Sequence, residues 1–202
     1  WEGIYCPLTI LHCKSCDLYQ LKHTAPQEIL YKGTYWYKSG VTDLMKSHLK
    51  DLAEEASKTI KVSEESRFLD IGANDGTLLK NIPDNIFTVG IEPASNLQEE
   101  LKSSCNLAVK ELWSEKVSLE IVDKIGNFDV VTAIGMFYDL DDPVDFVKGI
   151  WNALKDNGVF IAQLMCMENM LETNDLGNIC HEHIEFYTLK SLEVLFRKCK
   201  LR

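Results

Sequence analysis

Apolar positions along this chain fall into two alternating rhythms. Short, mainly apolar runs occur at Phe68–Ile71, Phe87–Ile91, Leu107–Val109, Phe128–Ile134 and Val159–Leu164. Between them, apolar residues recur every three or four positions, as helices require. Leu44, Met45, His48, Leu49, Leu52, Ala53 and Ala56 mark one such helix within residues 41–60. Further helices are predicted over residues 95–104, 143–154 and 190–199, the second with Pro143 in its first turn. Asn157-Gly158 is predicted to turn the chain into the fifth strand. Strands buried on both faces and alternating with helices give an α/β fold with a parallel sheet covered on both sides. Residues 1–40 lack this rhythm and read as a small cysteine-containing module, leaving residues 41–202 as the core.

The stretch Asp70-Ile71-Gly72-Ala73-Asn74-Asp75-Gly76 ends the first core strand and forms the loop beyond it. Gly72 permits a sharp bend, and neither glycine carries a β-carbon to hold a ligand away. A dinucleotide fingerprint needs a third glycine so that pyrophosphate can reach the helix N-terminus. Here Asn74 and Asp75 occupy the loop, which suits a cationic, phosphate-free adenosine ligand such as S-adenosylmethionine. About twenty residues on, Glu92 ends the second core strand, where an acid takes ribose hydroxyls in doubly wound sheets. The alternative for Asp70 and Glu92 is that they cap the helices after them. Gly135-Met136-Phe137-Tyr138 falls on the same rim, after the fourth strand.

Composition narrows the partners. A 46% hydrophobic content in 202 residues is ample for one sizeable core. No apolar run approaches the roughly eighteen residues of a membrane span, and no signal peptide is evident. The net charge of −10 argues against a nucleic-acid partner and requires any diphosphate-bearing substrate to find positive charge locally. Seven scattered cysteines fit reduced thiols in a cytoplasmic setting better than a disulfide framework.

Three further features carry chemistry. Cys13-Lys14-Ser15-Cys16 has the spacing of half a zinc site, with Cys6, His12 and His23 nearby; two ordinary surface thiols are the alternative. Tyr31, Tyr35, Trp36 and Tyr37 are too dense for one packed strand and either face a pocket or pack in the core or a lid. Cys180-His181-Glu182-His183 sets three titratable side chains in a row, able to bind metal, move protons or serve structure.

Taken together, these segments resemble the S-adenosylmethionine-dependent C-methyltransferases of nucleotide-linked 4-keto-6-deoxy sugars. The matching residues are Cys13-x-x-Cys16 with Gln20-Leu21, Tyr35-x-Tyr37-x-Ser39-Gly40-Val41-Thr42, Asp70 through Leu79, Gly90-Ile91-Glu92-Pro93-Ala94, and His181-Glu182-His183 with Tyr187. The resemblance implies a class I methyltransferase core of Rossmann-like type behind a zinc module. It implies that Asp70, Gly72, Asn74, Asp75, Gly76, Glu92, Pro93, Gly135 and Met136 surround the cofactor. His183 would be the base acting on the carbon beside the sugar ketone, with Glu182, His181 and Tyr37 assisting. Cys180 departs from the family pattern, which often has tyrosine there. The family also implies a longer chain: the other half of the zinc site, two more strands and a C-terminal domain. A five-stranded sheet would then leave an apolar edge able to pair with a second copy.

Overall fold

The structure, a computed structural model, describes residues 6–26, 30–31, 34–60, 63 and 65–201. Lys32 and Gly33 of the aromatic segment lie outside the described residues. The chain opens with a hairpin of β1 (Ile10–His12) and β2 (Tyr19–Leu21), followed by a three-residue turn at Ser39–Val41 and helix α1 (Asp43–Lys58). Thr42 caps α1 by accepting from the Met45 amide at 3.3 Å.

Five parallel strands come next: β3 (Arg67–Ile71), β4 (Phe87–Ile91), β5 (Leu107–Val109), β6 (Phe128–Ile134) and β7 (Leu154–Gln163), in the order β5-β4-β3-β6-β7. This is the class I methyltransferase arrangement of a Rossmann-like sheet. The order reverses between β3 and β6, which places the ligand crevice at the carboxyl ends of those strands. Phe68 and Val130 face one side; Leu69, Ile71, Val131 and Ala133 face the other. The first side is covered by α1 through Leu49, Ala53 and Ala56, and by α2 (Gln98–Lys102) through Leu101. The second is covered by α3 (Glu115–Ile125), α4 (Pro143–Ala153) and α6 (Leu189–Lys198). Between β7 and α6 lies a short helix, α5 (Met167–Thr173).

Two details differ from the sequence reading. The helix expected over residues 95–104 is a 3₁₀ turn, Ser95–Leu97, running into the five-residue α2. The fifth strand starts at Leu154, with Phe128 opposite Leu154 and Val130 opposite Val159. Asn157-Gly158 therefore lies in an outward excursion of the strand. Lys155 pins it by bonding Asp129 at 2.9 and 3.0 Å.

The N-terminal hairpin is not isolated. β2 pairs antiparallel with β8 (Glu185–Phe186), and Leu21 joins Met167, Met170, Ile184 and Phe186 in a third apolar cluster. Two- and three-residue strands have no readable period, so this sheet escapes the sequence pattern. Among the described residues, no helix is long and apolar enough to cross a membrane.

Candidate active site

The loop after β3 bends at positive φ three times, at Gly72 (70°), Asn74 (52°) and Gly76 (76°). A β-carbon on Gly76 would sit 2.4 Å from that of Ser104, and one on Gly72 would meet Met136 Cγ at 2.8 Å. The loop's amides are already taken. Those of Gly72 and Ala73 donate to the Ile91 carbonyl at 2.9 and 3.0 Å, and that of Asn74 donates to Glu92 at 3.0 Å. Those of Asp75, Gly76 and Thr77 bond Asn74 Oδ1, the Ala73 carbonyl and Asp75 Oδ1.

The loop side chains point elsewhere than expected. Asn74 accepts from the Ser39 amide at 3.0 Å and donates to the Tyr37 carbonyl at 3.0 Å. Asp75 accepts from the Gly40 amide at 2.8 Å and from the Thr77 hydroxyl at 2.6 Å. Both latch residues 37–40 across the loop as a strap. Asn74, Asp75 and Gly76 therefore stand behind the cleft rather than in its wall. Asp70 lies behind it too, with its carboxyl accepting from Thr132 Oγ1 at 2.6 Å. Burial pushes this carboxyl up to about 7, despite that bond.

The cleft itself encloses ≈ 810 Å³, part of it open to solvent. Its floor is Gly72, Ile91, Glu92, Pro93, Gly135 and Met136; its far wall is Leu112, Trp113 and Phe146. Trp113 is fixed by donating Nε1–H to the Phe146 carbonyl at 3.1 Å. Glu92 accepts from the Asn74 and Ala94 amides at 3.0 and 2.8 Å, which leaves lone pairs on both oxygens. Burial holds its carboxyl above the ordinary range against those two bonds. Tyr31, Tyr35, Tyr37 and Ser39 form the roof. Trp36, between two of these tyrosines, is 94% exposed, so the aromatic run splits between pocket and solvent.

A second cavity of ≈ 1040 Å³, also partly open to solvent, adjoins it. The two share Tyr35, Tyr37, Ser39, Ile134, Gly135 and Asp139. The second is completed by His48, Tyr138, Gln163, Met165, Glu182 and His183. His183 Nδ1 lies 2.7 Å from the Asn178 carbonyl. A carbonyl only accepts, so Nδ1 carries the hydrogen and Nε2 is left with its lone pair. The ring also stands edge-on to Tyr138 at 4.6 Å between centroids. His181 is separated from this group, for its Nε2 bonds the Cys6 carbonyl at 2.7 Å and it lines neither cavity. Tyr187 is buried in the core with its hydroxyl on Glu185. Burial raises Tyr31, Tyr35 and Tyr138 well above the phenol range, so they are neutral donors. Among the described residues, neither cavity is lined by lysine or arginine.

Cys13 and Cys16 flank a tight turn closed by Asp17 N–H to the Cys13 carbonyl at 2.8 Å. Amides of Cys16 and Ser15 hold the Cys13 thiol below its ordinary range. His12 is engaged by Asp17 at 2.6 Å. Among the described residues, no cluster of three or more His, Cys, Asp or Glu side chains is placed to hold a metal ion. The two thiols fit one half of a tetrahedral site and no more.

A family model described as a methyltransferase domain matches residues 41–201. The chain belongs to the methyltransferase domain family. Among curated sequence relatives, it is 24% identical over 197 residues to C-methyltransferase NovU of Streptomyces niveus, covering 97% of this chain and 47% of that one. It is 26% identical over 137 residues to a tRNA U34 carboxymethyltransferase of Campylobacter jejuni, covering 65% and 46%. The chain thus spans about half the length of these curated relatives. A methyltransferase structure from Archaeoglobus fulgidus superposes with a TM-score of 0.60 at 15% identity, over 78% of this chain and 69% of that one, a likeness of fold.

Several lining residues escape the sequence reading. Leu112 and Trp113 come after β5, and the rule that ligands sit beyond strand ends would have found them. Asp139 comes directly after the rim stretch already singled out. His48 reads as a helix-packing residue, and only the fold shows it bonded to Gln163 at 2.7 Å in the second cavity.

Proposed function

We propose that this chain is the core of an S-adenosylmethionine-dependent C-methyltransferase acting on a nucleotide-linked keto-deoxysugar. The cofactor assignment is supported by the loop, whose amides from Gly72 to Thr77 are all engaged internally and offer no nest to a pyrophosphate. Glu92 has lone pairs for ribose hydroxyls, and Leu112 with Trp113 and Ile91 forms an apolar slot for a flat base. When bound there, the cofactor supplies an electrophilic methyl group on a cationic sulfur.

The observation that carries the C-methylation reading is His183. It lines a cavity that shares a wall with the cofactor cleft, and the Asn178 carbonyl on Nδ1 fixes the tautomer that leaves Nε2 its lone pair. A carbon beside a ketone is acidified by delocalisation, so an imidazole suffices as base when a donor meets the oxygen. Tyr37 and Glu182 stand at the same cavity to orient the sugar. The similarity to NovU, named a C-methyltransferase, points the same way. Because these cavities lack lysine and arginine among the described residues, the diphosphate belongs outside them. Zinc, by the same reading, would need ligands beyond Cys13 and Cys16.

The test has two parts. Calorimetric titration with S-adenosylhomocysteine should give a saturable heat that Glu92→Ala abolishes. Solvent deuterium should enter the carbon beside the ketone of a dTDP-linked 4-keto-6-deoxyhexose, and His183→Asn should stop this while binding the cofactor product normally. Retained turnover in His183→Asn would exclude the enolate route and favour methylation at oxygen or nitrogen.

A further inference from the structure

The proton-abstraction scheme leaves one carboxyl of the shared wall unused. Asp139 ends the 3₁₀ turn Phe137–Asp139 directly after β6 and lines both cavities. One of its oxygens is out of contact with solvent. The Tyr31 hydroxyl bonds its carboxyl, and the other titratable groups facing it are Tyr35, Tyr138, Glu182 and Glu185. His183 lines the same second cavity.

Removing a proton beside a ketone moves the carbon–hydrogen pair into a new C=C bond and the carbonyl π pair onto oxygen. That oxygen needs a donor, and among the described residues lining the two cavities there is no lysine or arginine to supply one. We propose that Asp139 is a catalytic carboxylic acid, donating an O–H hydrogen bond to the ketone oxygen while His183 Nε2 takes the carbon-bound proton. Asp139 keeps its own proton throughout, and the one lost from carbon leaves on His183. The assignment rests on the keto-sugar reading. Burial, with Glu182 and Glu185 adding repulsion, pushes the Asp139 carboxyl up to about 8 against the Tyr31 bond, so it is mostly protonated at neutral pH. It is thereby a stronger donor than the tyrosines beside it, whose hydroxyls burial drives well above their ordinary range. A carboxylic acid kept neutral by its surroundings is a known way to serve an enolate oxygen.

The experiment tracks deuterium incorporation into a dTDP-linked 4-keto-6-deoxyhexose, with S-adenosylhomocysteine bound, from about pH 6 to about pH 10. Unmodified protein should lose rate on an alkaline limb centred near 8. Asp139→Ala should fall by about 10²-fold at neutral pH with S-adenosylhomocysteine at saturation, the usual cost of one oxyanion donor. Asp139→Asn, whose amide still donates, should keep part of the rate and lose the alkaline limb. Equal rates and the same limb in Asp139→Ala and unmodified protein would overturn the acid alone. An unmodified protein that binds S-adenosylhomocysteine but incorporates no deuterium would overturn the keto-sugar reading, and the acid with it.

Discussion

Asp70 illustrates how a single buried carboxyl sets a pH response. Its folded form holds a proton to about pH 7, against an ordinary value of 3.8, because desolvation outweighs the Thr132 hydrogen bond. The raised value means that the folded chain binds more protons than the unfolded one between about 3.8 and 7. Stability is therefore full below that window and falls as pH rises through it. Asp70→Asn removes the cost of ionisation while its carbonyl still accepts from Thr132. Its melting temperature relative to unmodified protein should rise between about pH 5 and about pH 8, by the equivalent of at most about 3 kcal/mol. A relative melting temperature flat or falling over that range would show that the carboxyl ionises freely in the fold. The same residue marks the limit of reading a site from sequence. Glu92 and Gly72 were legible because strand ends and bare backbone are local features. That Asn74 and Asp75 serve the strap was not, since their partners Tyr37, Ser39 and Gly40 lie some 35 residues away.

Helix α4 shows the coupling of element packing to the cleft. Gly149 brings it against α3, where its carbonyl accepts from Ser118 Oγ at 2.6 Å. A β-carbon at Gly149 would lie 2.9 Å from Trp113 Nε1 and 3.1 Å from the Ser114 carbonyl. Neither neighbour yields easily, for one is a ring held by the Phe146 carbonyl and the other is backbone at a helix cap. Alanine gains about 1 kcal/mol of helix propensity over glycine. Overpacking costs about 1–3 kcal/mol, and here it wins. Gly149→Ala should therefore lower stability by up to about 2 kcal/mol in urea unfolding and weaken S-adenosylhomocysteine binding by displacing Trp113. A more stable variant with unchanged affinity would show that α3 and α4 separate freely. The strands of the main sheet were legible because central parallel strands are apolar on both faces. The start of β7 was not, because its outward excursion is fixed by Lys155 reaching Asp129 on the neighbouring strand.

Across the whole molecule, two sheets of unequal strength meet at the proposed catalytic segment. The five-stranded sheet is buried from both sides, whereas the small one rests on strands of two and three residues and one apolar cluster. His181-Glu182-His183 runs directly into Ile184, whose amide donates to the Tyr138 carbonyl at 3.0 Å and whose carbonyl accepts from Leu21 at 2.8 Å. The small sheet thus holds His183 in place while contributing nothing to the cofactor cleft. Leu21 is 4% exposed at the centre of that cluster. Truncating a buried leucine to alanine costs about 2–5 kcal/mol, a cost that here should fall on local opening rather than on the main core. In Leu21→Ala, hydrogen exchange should accelerate at residues 184–187 and stay unchanged at β3 and β6. Deuterium incorporation into the keto-sugar should drop together with that protection, and S-adenosylhomocysteine should still bind with its normal heat. If protection were lost equally in both sheets, the chain would unfold as one unit and the small sheet would not be a separable support for His183.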